Sequence, residues 1–222
     1  MTSIVHKAWM GLTGLFLVLF LTVHMIGNLQ LFLPEDTARP SFNAYSHALT
    51  SNPAIKVASG LTYGSVLVHV VVAALLTRRN RRARRRGYAT EHAAASSPWY
   101  ARAMGPLGVA ILAFLVWHLQ MFWYRYHWGP IPTDAAGRRD LYTVVVTAFC
   151  EPWIVALYVL SAVAVGLHLQ HGVTAGLRSL GVFSRAVDDL APRWAPRFAW
   201  AIAGPFAAMP IYVYLAFGGQ AP

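Results

Sequence analysis

Four histidines stand inside long apolar stretches of this 222-residue chain: His24, His69, His118 and His168. An ionisable side chain is costly to hold in such a run, so each is a candidate for ligand or proton chemistry. The helical rise gives each a depth. At about 1.5 Å per residue, His24 lies about 25 Å along its stretch from Lys7, and His118 about 21 Å from Met104. His69 comes nine residues before Arg78 and His168 ten before Arg178, which is about 13 Å and about 15 Å in from those arginines. By depth the four sort into two pairs, His24 with His118 and His69 with His168.

Two imidazoles from two helices, meeting at one depth, suit the two axial positions of a haem iron. Cysteine offers no competing centre. The single thiol, Cys150, cannot make an internal disulfide, a four-thiolate zinc site or an iron–sulfur cluster, and no CxxCH attaches a c-type haem. The reading is two b haems, an inner one on His69 and His168 and an outer one on His24 and His118. Gly27, Gly172 and Ala73 follow their histidines by three or four residues on the same helix face and leave room beside them, whereas Phe114 and Phe122 flank His118. His171 competes with His168 but lies nearer the surface, and is read as a haem-propionate contact or polar neighbour. A single buried histidine can equally be an interhelical hydrogen-bonding group. A metal transporter would usually add carboxylates, and Glu151 alone stands near a stretch. Gly14 and Gly108 each precede a paired histidine by ten residues, read as close helix packing.

The elements that must position these residues are membrane helices. Apolar residues make up 57% of the chain and charged ones 12%, with mean hydropathy +0.47; a soluble domain carries about twice that charge. Five stretches reach the roughly 20 residues needed to cross a bilayer: about Ala8–Leu33, Ala54–Thr77, Met104–Tyr124, Pro152–Leu177 and Phe198–Phe217. Pro205 and Pro210 are expected to kink the fifth. The expected fold is an all-α, five-helix transmembrane bundle, one domain over 1–222, with the haems between the first four helices. The first apolar run is too long for a signal-peptide core and reads as a retained helix. Polar breaks separate the first two spans and occupy Gly129–Glu151, where Leu141–Phe149 could lie along the membrane surface.

Charge orients the bundle. With a cytoplasmic N-terminus, 13 of the 18 basic residues face inward and 5 outward, as the positive-inside rule requires. The run RRNRRARRR at 78–86 follows a span directly, so it reads as an anchor on anionic headgroups or on a partner subunit rather than a nucleic-acid patch. His6, His47, His92 and His127 are read as solvated loop or interface residues, with His127 also a candidate quinone contact. Trp117, Phe122, Trp123, Tyr124, Tyr126 and Trp128 read as an interfacial aromatic belt.

Three segments carry a family resemblance: TGLFLVLFLTVHMIGNLQ at 13–30, the Trp117–His118 pair, and FCEPWIVALY…HLQHG at 149–172. The last sets Phe149, Pro152, Tyr158, His168 and Gly172 in an F-x-x-P…Y…H-x-x-x-G pattern, with Gly181 further on. The chain resembles the single-subunit, diheme cytochrome b membrane anchor of bacterial succinate:quinone oxidoreductases and fumarate reductases, the respiratory complex II. The resemblance implies that succinate chemistry, flavin and iron–sulfur clusters belong to partner subunits on the cytoplasmic face of the bacterial inner membrane. Electrons would then reach the inner haem, the outer haem and a membrane quinone, often menaquinone in such relatives. It also implies Lys7 and Arg178 as propionate partners. Asn28, Gln30 and Gln120 would be quinone candidates near the outer haem, and Trp9, Trp99 and Arg102 at the inner end. Interface anchoring and loop capping explain those residues equally well. Relatives acting as fumarate reductases carry an acidic residue two positions before the fourth ligand; Gly166 stands there, which favours succinate oxidation. Two other readings remain: a cytochrome b subunit of a hydrogenase or formate dehydrogenase, and a non-redox, histidine-lined transporter or scaffold.

Overall fold

A computed structural model describes residues 3–84, 99–182, 185–218 and 220; Arg85, Arg86 and His92 lie outside them. The described residues form helices and connecting turns: α1 (Ser3–Asn28), α2 (Glu35–Ser51), α3 (Pro53–Arg84), α4 (Trp99–Arg102), α5 (Met104–His118), α6 (Arg125–Trp128), α7 (Leu141–Phe149), α8 (Pro152–Ser179) and α9 (Arg185–Phe217). A π-helical turn, Leu119–Tyr124, joins α5 to α6 without a break. Five helical stretches are long and apolar enough to cross a membrane: Ile4–Phe32, Pro53–Arg82, Met104–Trp128, Pro152–Ser179 and Asp189–Phe217. The protein is therefore a multi-pass, all-α membrane protein.

The fifth helix begins well before its apolar part. Pro192 and Pro196 lie within it, as do Pro205 and Pro210, and Ala191, Ala195 and Ala199 form a buried stripe at helical spacing along its polar start. Packing of that stripe, which hydropathy does not register, extends the helix.

At the centre of the bundle, α8 packs against α9, α1 and α5, and α1 in turn against α3. Lipid tails are as apolar as leucine, so association of such helices depends on close approach of small residues and on packing. Gly11 of α1 and Gly176 of α8 make that approach: a Cβ on Gly11 would lie 2.8 Å from the Gly176 carbonyl oxygen. Gly166 seats Trp200 and Ala203 of α9 in the same way. Gly11→Val is expected to force α1 off α8 and lower stability by about 1–3 kcal/mol, measured as an earlier unfolding midpoint in detergent.

The two ends of the bundle differ. One end carries exposed Lys7, Arg79, Arg81, Arg82, Arg102, Arg178, Arg193 and Arg197 and is called the basic end below. The other is closed by α2, α7 and the turn between α6 and α7. The segment between the first two spans is thus a helix and not simply a polar break: Glu35 and Asp36 favour its first turn, and Ala38, Phe42 and Ser46 recur every four residues on its buried face. Nor is α7 a loose surface helix. Tyr142, Val144, Val145, Val146, Ala148 and Phe149 are buried in one core with Leu31, Phe42, Phe122 and Val213.

Polar bonds converge on Asp140, which is fully buried. Its carboxylate accepts from Arg39 Nε at 2.9 Å and Nη2 at 2.6 Å, from Asn43 Nδ2 at 2.8 Å and from Thr143 Oγ1 at 2.9 Å. It also caps α7 by accepting from the Thr143 amide at 3.1 Å. Asn43 completes the knot by accepting from the Tyr142 amide at 3.0 Å. Burial pushes the Asp140 carboxyl upward in pKa, but the bonds from Asn43, Thr143 and Arg39 outweigh it and hold the group below the usual aspartate range.

Candidate functional site: two histidine pairs

Each pair of histidines is built from two separate spans. The rings of His69 on α3 and His168 on α8 have centroids 6.4 Å apart, with planes at 66°. Those of His24 on α1 and His118 on α5 are 6.0 Å apart at 88°. Two imidazoles sharing one metal in trans, at metal–nitrogen bonds of about 2.0–2.1 Å, have ring centres about 6–6.5 Å apart. Both separations match that requirement. Edge-to-face contact alone would also tolerate them, so the surroundings of the rings matter.

Glycines of the facing helices border the pair nearer the basic end, the inner pair: Gly14 lets the His69 ring seat directly on α1, and Gly108 leaves ordinary contact distance beside His168. A Cβ on Gly14 of α1 would lie 3.3 Å from His69 Cε1, and one on Gly108 of α5 3.9 Å from His168 Cε1. Since Gly14 precedes His24 by ten residues and Gly108 precedes His118 by ten, both helices put about 15 Å between the two levels. The glycine echo thus places small residues of α1 and α5 beside the inner pair while the same helices carry the outer pair. Gly172, four residues beyond His168, is as open as Gly108, with Met104 Cε no nearer than 4.0 Å. Gly27 is different: the Tyr45 ring of α2 fills the space beside it, 2.6 Å from where a Cβ would stand.

Aromatic side chains wall the outer pair. Phe20 stacks on His24 at 5.5 Å and Phe206 of α9 lies at 5.7 Å. Phe114, Phe122 and Tyr158 surround His118 at 5.7, 5.4 and 5.9 Å. The aromatic cluster of the third span is therefore divided. Phe122 and Tyr126 are buried, and Trp117 packs on Tyr158, while Tyr124 and Trp128 remain exposed as a belt. The π-helical turn starts directly after His118; such turns are frequent at functional sites.

Hydrogen bonds at Nδ1 distinguish the four rings. Thr13 Oγ1 is 3.2 Å from His69 Nδ1 and donates its own proton to the Trp9 carbonyl at 2.7 Å, so it accepts from His69. A ring proton held on Nδ1 by that bond would leave the Nε2 lone pair free. Tyr158 Oη is 2.8 Å from His118 Nδ1. His168 Nδ1 is buried with no hydrogen-bond partner among the described residues, and His24 Nδ1 has only the Asn28 amide at 3.4 Å. A bare metal ion would require three or four side-chain ligands, and no group of three His, Cys, Asp or Glu side chains forms among the described residues. Two imidazoles per level fit a ligand that brings the rest of its coordination, as a porphyrin does.

The other candidates fall into distinct places. Asn28 donates to the His24 carbonyl at 2.7 Å and Gln30 to the Gly27 carbonyl at 2.9 Å, so both cap the end of α1. Gln120 is exposed with Trp117, Met121, Tyr124 and Arg125 in a shallow groove. His127 is exposed, its Nδ1 2.8 Å from the Trp123 carbonyl oxygen. Lys7, Trp9, Trp99, Arg102 and Arg178 are all exposed toward the basic end. His171 is half-buried, one turn from His168. His6, expected to be solvated, is buried, because its side chain turns into the bundle from the first turns of α1. Thr13 and the position of Tyr158 beside His118 were not legible as ligand supports. Only the Thr13–Gly14 step in an otherwise apolar run, and Tyr158 in the F-x-x-P…Y motif, signalled them.

Fold and site together define a five-span membrane protein with two stacked interhelical histidine pairs. Searches of protein-family models, curated proteins and solved structures found no match to this chain.

Proposed function

We propose that the protein is the membrane-anchor and electron-transfer subunit of a bacterial succinate:quinone oxidoreductase, holding two bis-histidine b haems between its first four spans. The observation that carries this reading is the pair of ring separations, 6.0 and 6.4 Å, at two levels about 15 Å apart. When bound, b haems would supply one-electron carriers at two depths of the membrane. The chain's own residues hold and insulate them: His69 and His168 offer inner ligands, Gly14 seats the His69 ring, Gly108 and Gly172 leave space, and Phe114, Phe122 and Phe206 line the outer level. The exposed arginines of the basic end suit docking of an iron–sulfur partner on the cytoplasmic side, since they orient that end inward. Lys7, Arg178 and His171, toward the basic end, are the residues that would hold the propionates of an inner haem. The quinone, menaquinone by resemblance, would be reduced at the membrane, with Gln120 and His127 the exposed polar candidates toward the capped end.

A dithionite-reduced minus oxidised spectrum of the purified protein tests the haem reading, with b-type bands as the expected result. A flavoprotein carrying covalent flavin should co-purify. Bands accompanied instead by a hydrogenase or formate dehydrogenase would reassign the partner, and a featureless spectrum from protein of native fold would sink the haem reading.

A further inference from the structure

We infer that Thr13 and Tyr158 are positioning residues, each fixing one axial histidine of one pair through Nδ1, and that α1 and α8 exchange these duties between the two levels. The inference rests on the haem reading above. On α1, Thr13 holds the inner His69 while His24 stands in the outer pair. On α8, Tyr158 holds the outer His118 while His168 stands in the inner pair. The held rings both belong to the other two helices, α3 and α5. Each pair therefore has one ring with a short side-chain bond at Nδ1, at 3.2 Å for His69 and 2.8 Å for His118. Among the described residues its opposite ring has none or only the 3.4 Å approach of Asn28.

The chemistry follows from the direction of the bonds. For Nε2 to face a metal, the ring proton must sit on Nδ1 and needs an acceptor. The Thr13 oxygen is free to be that acceptor because its hydroxyl proton is already committed to the Trp9 carbonyl. The phenol oxygen of Tyr158, 2.8 Å from His118 Nδ1, has a lone pair that can take the same role when its own proton turns away from the ring. An acceptor at Nδ1 makes the imidazole a stronger donor, which favours the ferric state over the ferrous. Each support thus orients its ring and lowers the potential of its own level, and α1 and α8 act on different levels although each spans both.

Potentiometric titration of the haem absorbance in the purified complex, with low-temperature EPR of the ferric haems, tests this on Thr13→Val and Tyr158→Phe. Each variant should raise the midpoint potential of one haem and shift that haem's EPR signal, or lose that haem alone. The two variants should affect different haems, and Thr13→Ser should restore the wild-type titration. Variants that leave both potentials and both signals unchanged would overturn the inference while the haem reading stands, as would two variants that act on the same haem. Wild-type protein without b haem would overturn the haem reading itself, and with it this one.

Discussion

Protein purified with His69 or His168 replaced by alanine is expected to retain about half of the reduced-minus-oxidised haem absorbance, since one bis-histidine level is lost and the other kept. His24→Ala or His118→Ala should remove the other half. The decisive measurement is the haem-to-protein ratio of the double variants. His69→Ala with His168→Ala should lose no more haem than either alone, because both ligands serve one level. His69→Ala with His24→Ala should lose both. Such grouping follows from geometry, since His69 and His168 meet at 6.4 Å and His24 and His118 at 6.0 Å, while the levels lie about 15 Å apart. Loss of the same haem from His24→Ala and His69→Ala would end the pairing.

The second large effect concerns the closed end. Asp140→Ala removes the cap of α7, worth about 0.5–2 kcal/mol, and leaves the buried Asn43 amide without its acceptor, about 1–3 kcal/mol. Arg39 loses less, because its side chain is 41% exposed and water replaces the carboxylate. A total of about 1.5–5 kcal/mol is expected, read from unfolding in detergent. Asp140→Asn should cost less, since an amide oxygen can still cap the helix. The same network predicts a pH dependence. A carboxyl whose folded pKa is lowered stabilises fully above its unfolded value of about 3.9 and loses that contribution as pH falls through the lower folded value. Wild type should therefore lose stability on acidification below about pH 4 relative to Asp140→Asn, whose curve should be flatter there. Equal slopes for the two proteins would show that Asp140 does not carry the dependence.

How much of this was legible in the sequence varies by element. Four of the five spans could be bounded to within seven residues at either end because a membrane helix needs only length and apolarity. The fifth was read from Phe198 although its helix starts at Arg185, since Asp188, Asp189, Arg193 and Arg197 hide the stripe of buried alanines among charges. Helices α2 and α7 draw on the Asp140 network, whose partners lie about a hundred positions apart in the chain, as Asn43 and Asp140 do. No local pattern announces such a contact.

The sequence alone determined the depth of each histidine, because the rise of a helix is fixed and the ends of each span are marked by charge. Depth was enough to sort the four into two levels. Only the tertiary structure decided which faces of the helices meet. In a span whose lipid side and protein side are both apolar, nothing local sets rotation about the axis; packing does, through contacts such as Gly11 against Gly176. That rotation brings Thr13 to His69, Tyr158 to His118, Gly14 and Gly108 beside the inner pair, and Tyr45 into the space beside Gly27.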